Sequence, residues 1–202
     1  MVDPNVRAAL VPSGNRYRDR LEGVIARSTI VKASEADLAW LFPGLGYEQA
    51  ADAILSRHDV RMVVATLGAR GAFGASSGAR MHVAAPRVDV VDTIGAGDSF
   101  GAGLLAWLHD RNKLDHDLRL AEAELTEALA FACLVAAITC TRAGAESPLR
   151  VEVGGWLGRA TARPSQSVVT RRTAGRFRSG KRFQPEPRAS RTRLHWSCRF
   201  RC

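Results

Sequence analysis

The sequence predicts an α/β domain with a largely parallel sheet covered by helices. Two observations carry that expectation. Short apolar, β-branched runs alternate with stretches of helical periodicity, and glycine turns follow the runs at the ends where such sheets bind ligands. A third observation is the stretch Val91-Asp92-Thr93-Ile94-Gly95-Ala96-Gly97-Asp98-Ser99-Phe100, which reads as a strand end, a small-residue turn and a helix start.

In chain order, Val2 to Arg7 reads as the end of a strand followed by a turn, since Asp3, Pro4 and Asn5 are all turn formers. Tyr17 to Arg27 is a predicted helix with Tyr17, Leu21, Val24 and Ile25 on one face and arginines on the other. Thr29 to Ala33 is a short buried strand. Ser34 then caps a helix, with Glu35 and Asp37 in its first turn. Glu48 to Arg57 is a further helix whose Ala50, Ala51, Ile54 and Leu55 face inward, and Arg61 to Thr66 is a strand running into the turn Thr66-Leu67-Gly68-Ala69-Arg70-Gly71. Ala72 to Ala75 and Met81 to Ala85 form a strand pair around Ser76-Ser77-Gly78. Val88 to Val91 suits a strand. Ser99 to Leu108 is helical, Asp110 to Asp117 a polar loop with His109 and His116 facing solvent, and Glu122 to Thr139 a strongly apolar helix.

The stretch around Gly95 has a chemistry of its own. Small residues let the backbone approach a ligand, and the helix behind them presents free N–H groups and the positive end of its dipole, an anion site. Asp98 stands in the first helical turn. A carboxylate there favours the helix, and beside a bound phosphate it can also accept the proton of an attacking hydroxyl.

Asp92-Thr93-Ile94-Gly95-Ala96-Gly97-Asp98-Ser99-Phe100 resembles the C-terminal signature of the PfkB/ribokinase family of carbohydrate kinases. The resemblance implies a ribokinase-like, Rossmann-type sheet with flanking helices. It implies Asp98 as catalytic base, and Gly95, Ala96 and Gly97 as the anion hole for the transferred phosphoryl group. Asp3, Asn5 and Arg7 match a segment near the sugar. Ser34 and Asp37 match a segment near the nucleotide phosphates and Mg2+, with Asp37 one methylene shorter than the family's commoner glutamate. Thr66, Gly68 and Gly71 match a turn against ATP. Cys133 falls where members touch the nucleobase, although core packing explains it equally simply. Asp92, Ile94, Thr139, Arg142 and Gly144 match positions that in some members hold a monovalent cation, K+, partly through backbone carbonyls.

The resemblance covers about Val2 to Pro148. Family members are longer, with an additional N-terminal part that carries most sugar contacts and a small β lid, and both are expected to be missing here. Residues 1–150 are thus expected to be the nucleotide-binding, catalytic half of such a domain. The implied partners are a sugar and a nucleotide, and the complete enzyme is compatible with a homodimer. Fructokinase-like activity fits the Asp3–Arg7 and Ser34 segments best; ribose, nucleosides and 2-keto-3-deoxygluconate stay open as substrates.

Charge divides the chain. The net charge is +9 over 202 residues, yet Met1 to Leu149 carries 15 basic against 18 acidic residues, or −3, and Arg150 to Cys202 carries 14 against 2, or +12. The body therefore has no nucleic-acid footprint. Residues 151–202 read as an Arg-rich tail expected to be disordered. The tail is open to three readings: a nucleic-acid-binding arm, an appendage without a partner, or out-of-frame translation of G+C-rich sequence. A catalytically silent nucleotide- or nucleic-acid-binding remnant is the competing function. The four cysteines, Cys133, Cys140, Cys198 and Cys202, have no zinc spacing and imply no disulfide framework. No apolar run is read as long enough to span a bilayer and no secretory signal opens the chain, so the expected location is cytoplasmic.

Overall fold

Apolar periodicity of two along the strands and of 3.6 along the helices builds three layers. The structure, a computed structural model, describes residues 1–11 and 14–162. Strands β1 (Ile30–Ser34), β2 (Met62–Thr66), β3 (Ala72–Ser76) and β4 (Arg80–Val83) form one sheet in the order β1-β2-β3-β4. β1 and β2 are parallel, with Ser34 opposite Thr66, and Val2 adds a parallel bridge to Val31 through Val2 N–H to Ile30 O at 2.9 Å and Lys32 N–H to Val2 O at 2.9 Å. β2, β3 and β4 pair antiparallel. The sheet is therefore mixed rather than largely parallel, because the hairpin of β3 and β4 returns directly onto β2 instead of crossing over through a helix.

Each strand buries both faces. On β2, Val63 and Ala65 join Val31, Ala33, Leu38 and Ile54 beneath α1 (Gly14–Ile25), α2 (Glu35–Leu41) and α3 (Tyr47–Arg57). Met62 and Val64 point the other way, into a core with Ile30, Phe100, Leu104, Leu108, Leu125 and Leu129 from α4 (Ala96–Asp110) and α5 (Glu122–Cys140). Period-two alternation with both faces covered is what a buried strand requires. Leu104, Leu108, Leu125 and Leu129 are fully buried, and truncating a leucine at such a position costs about 2–5 kcal/mol.

Four details differ from the expectation. Val88 to Val91 is not a strand: Val90 and Val91 are exposed, and the Val91 N–H donates to Cys140 O at 2.8 Å. β-propensity without a neighbouring strand to pair with does not make a ladder. Val24 is 49% exposed, while Leu21 and Ile25 carry the inward face of α1. The chain from residue 150 continues as α6 (Arg150–Ala162), whose Val153 is buried against Val135 and Ile138. The rest of the Arg-rich tail, with Cys198 and Cys202, lies outside the described residues. Finally, α5 is, by length and composition alone, long and apolar enough to cross a membrane. It is packed on α4, β3 and β4, with Leu125, Leu129 and Ile138 fully buried, as the core helix of a folded domain is.

Candidate active site

The C-terminal ends of β1 and β2 and the N-terminus of α4 bring the predicted segments toward one another. α4 opens on Gly95, which has φ +75° and ψ −4°. A Cβ there would lie 2.7 Å from Ala145 Cβ and 2.8 Å from Ala145 Cα, so the turn needs glycine for both its left-handed backbone and its closeness to the 144–145 loop. Ala96 N–H donates to Thr93 O at 3.2 Å and Ser99 N–H to Gly95 O at 2.8 Å. Among the three residues of the expected anion hole, Ala96 thus has its amide engaged. Gly97 and Asp98 stand in the first turn, where N–H groups lack intrahelical acceptors. Asp98 is exposed, and its carboxylate makes no hydrogen bond or ion pair among the described residues.

One residue the sequence reading passed over reaches this turn. Lys32 lies on β1 between Val31 and Ala33, is 4% exposed, and shares its face of the sheet with Ile30, the α4 side. Its stem runs beneath Gly101, and its Nζ lies 3.3 Å from where a Cβ on Gly97 would stand. The ammonium pairs with the Asp3 carboxylate. A lysine inside a run expected to be wholly buried was the signal that could have singled it out.

Ser34 and Asp37 form a capping box at the start of α2. Ser34 Oγ donates to Asp37 Oδ2 at 2.6 Å and accepts from Asp37 N–H at 3.1 Å. Asp37 Oδ2 also accepts Ser34 N–H at 2.9 Å, and Oδ1 accepts Val6 N–H at 2.7 Å. Asp37 is 6% exposed with both oxygens engaged, so it is built to hold the Asp3–Arg7 segment against α2, not to ligate a metal. No group of three or more His, Cys, Asp or Glu side chains among the described residues is arranged to hold a metal ion.

Thr66 closes β2 beside Ser34, and the turn after it is tight: Leu67 N–H donates to Gly71 O at 2.8 Å. Gly68 and Gly71 have φ +59° and +100°, and a Cβ on Gly71 would overlap the Val83 carbonyl. An Arg70–Glu35 ion pair ties this turn to the start of α2. Asn5, in the left-handed region at φ 42°, and Arg7 line a cavity of about 460 Å³ with Arg16, Tyr17 and Arg20.

Cys133 is placed elsewhere. It is 4% exposed in the core between the sheet, α4 and α5, and burial pushes its thiol up to about 12. Core packing is its role, and the nucleobase contact is withdrawn. Of the five residues matched to the cation positions, Asp92, Ile94 and Gly144 meet: Asp92 Oδ1 accepts Ile94 N–H at 3.0 Å and Oδ2 accepts Gly144 N–H at 2.9 Å. These two amides, Ile94 first, hold the Asp92 carboxyl below its ordinary range. Thr139 turns its hydroxyl onto Val135 O, and the Arg142 guanidinium pairs with Glu152 at 2.9 Å, so neither side chain faces Asp92.

The comparisons with known proteins agree with this arrangement. Residues 1–152 match the pfkB family of carbohydrate kinases. A fructokinase of Rhizobium leguminosarum bv. trifolii is 41% identical over 113 residues, which is 56% of this chain and 34% of that protein. The fold superposes on a fructokinase with bound ATP from Xylella fastidiosa at a TM-score of 0.69 and 26% identity, covering 79% of this chain and 51% of that one. It also superposes on a double-mutant fructokinase from Vibrio cholerae O395 with fructose, ADP and potassium ion bound, at a TM-score of 0.65 and 27% identity, covering 77% and 49%. The chain thus spans half or less of the length of these relatives. With a helix opened by Gly95-Ala96-Gly97-Asp98, glycine turns at the strand ends, and a family match over three-quarters of its length, the chain belongs to the pfkB family of carbohydrate kinases.

Proposed function

We propose that residues 1–150 are the nucleotide-binding and base-carrying half of a sugar kinase of fructokinase type, which transfers the γ-phosphoryl group of MgATP to a sugar hydroxyl. The observation that carries this reading is the exposed, unpaired Asp98 in the first turn of a helix whose N-terminal amides face the same end of the molecule. In the reaction, the hydroxyl oxygen forms a bond to the γ-phosphorus, the bond from that phosphorus to the bridging oxygen breaks, and ADP leaves. Asp98 takes the hydroxyl proton. The first-turn amides of α4 stabilise charge on the moving group, because they are oriented before it arrives. Thr66, Gly68 and Gly71 offer a backbone surface for the nucleotide. Ser34, whose hydroxyl is spent on its own cap, contributes through position rather than a free side chain.

Magnesium enters with the nucleotide, as part of the substrate, since Asp37 is not arranged to hold it. K+ next to the loop joining Asp92 to Gly144 is part of the proposal, supported by the potassium ion in the Vibrio cholerae relative. Asn5 and Arg7 stand on the sugar side.

The test is sugar-dependent ADP release by the purified chain with MgATP, across fructose, ribose, 2-keto-3-deoxygluconate and adenosine, with and without K+. Fructose turnover that D98N lowers at least 100-fold, with ATP affinity retained, is the expected result. Near-normal turnover by D98N would remove Asp98 as the base. A folded chain that binds MgATP but turns over no sugar would favour a silent nucleotide-binding remnant.

A further inference from the structure

Lys32 is a costly residue where it stands. A lysine is almost never this deeply buried without full pairing, and an ammonium has three donors. Among the described residues its one hydrogen-bond partner is Asp3. Buried donors in a finished structure find acceptors, so the remaining N–H groups are unmet inside the fold. The position is also electrostatically adverse. The N-terminus of a helix carries the equivalent of about half a positive charge and favours anions, yet the ammonium lies 3.3 Å from the Cβ position of Gly97, in the first turn of α4. Two like fields converge there, and Asp3, with a side chain 27% exposed, offsets only part of one. The route of the stem is also specific. Gly97 and Gly101 are one turn apart on the same face of α4, and side chains there would meet Lys32, at Nζ and at Cδ (3.9 Å).

We infer that Lys32 is a positioning charge for the anion bound at the start of α4, the terminal phosphate of ATP, and that Asp3 is its counter-ion rather than a ligand of the sugar. This rests on the nucleotide-binding reading above. Asp3 neutralises Lys32 in the empty site and keeps it from swinging out. A terminal phosphate arriving over Gly97 supplies the acceptors that the buried ammonium lacks. A charge-assisted hydrogen bond of this kind changes affinity by about 10- to 100-fold. ADP, one phosphate shorter, gains little from it.

The experiment is titration calorimetry of MgATP and MgADP with the full chain, its K32M, K32Q and K32R variants, and D3N, each checked for folding by near-ultraviolet circular dichroism. The expected result is a wild-type preference for ATP that K32M and K32Q reduce by about 10-fold or more while ADP affinity holds. K32R should restore part of it, and D3N should keep the preference or raise it. A purely structural Lys32–Asp3 pair predicts the opposite: K32M, K32Q and D3N lower both nucleotides alike and leave the ratio unchanged. That outcome would overturn the inference and leave the nucleotide-binding reading standing. A folded wild-type chain that binds neither nucleotide would overturn both. Loss of folding in both K32M and K32Q, with D3N lowering ATP and ADP equally, would also assign the pair to structure alone.

Discussion

Replacing Gly95 by alanine tests whether the turn that opens α4 is held by sterics as well as by backbone preference. Two independent costs follow from the geometry. At φ +75° an L-residue pays about 1–2 kcal/mol for the left-handed backbone. The new methyl would also lie 2.7 Å from Ala145 Cβ and 2.8 Å from Ala145 Cα, and an overpacked contact of that kind costs about 1–3 kcal/mol. G95A should therefore lose about 2–5 kcal/mol of unfolding free energy. Ala145 lies in an exposed stretch, so A145G alone should cost only about 0.5–1 kcal/mol, mainly through backbone entropy. The double variant separates the terms. Glycine at 145 removes the clash but leaves the dihedral strain, so G95A/A145G should be less destabilised than the sum of the singles by about 1–3 kcal/mol. Urea unfolding of the four proteins, followed by tryptophan fluorescence, reads this directly. Additivity within about 0.5 kcal/mol, or a G95A cost below about 1 kcal/mol, would show that Ala145 does not press on Gly95.

Two further outcomes follow from the site. The Asp92 carboxyl is held low by the Ile94 and Gly144 amides, so its contribution to stability is present above its unfolded value, about pH 4, and is lost as pH falls through the lower folded value. Between pH 6 and 3 the urea midpoint of the wild type should fall further than that of D92N; parallel curves would dissociate Asp92 from acid sensitivity. Cys133, with its thiol pushed up to about 12 by burial, should resist iodoacetamide at pH 8 in the folded protein and react once urea unfolds it, read by mass spectrometry of the peptides. Native labelling at Cys133 would contradict its place in the core.

Much of this molecule is written locally. Met62 to Thr66 alternates because both faces of β2 are covered. Ala50, Ala51 and Ile54 recur at helical spacing, and Ser34 with Asp37 announces a cap that the hydrogen bonds complete. The turn at Gly95 is legible for the same reason, since dihedral demands act within a few residues. What escaped the sequence depends on partners distant in the chain. The second oxygen of Asp37 goes to Val6, 31 residues away, and that bond turns an expected phosphate-side residue into a brace. Lys32 became visible only when α4 crossed over β1. Val88 to Val91 had strand residues but no strand to lie against. α6, interrupted by Gly154 and Gly155, offered little periodicity, and its contact with the body comes through Val153. The hairpin of β3 and β4 was foreseen, but its consequence for sheet polarity was not.

The carbonyl of Cys140 accepts two amides, Val91 at 2.8 Å and Asp92 at 3.3 Å, and Asp92 in turn receives Gly144. The entry to α4 and the exit from α5 are thereby spliced at one point, although 48 residues separate Asp92 from Cys140. Hydrogen exchange would treat them as a single opening unit. The amides of Val91, Asp92 and Gly144 should exchange at a common rate, because none can open without releasing the others. The anion-binding turn then has no private flexibility: its breathing is that of the α5 terminus, and whatever steadies one loop steadies the other.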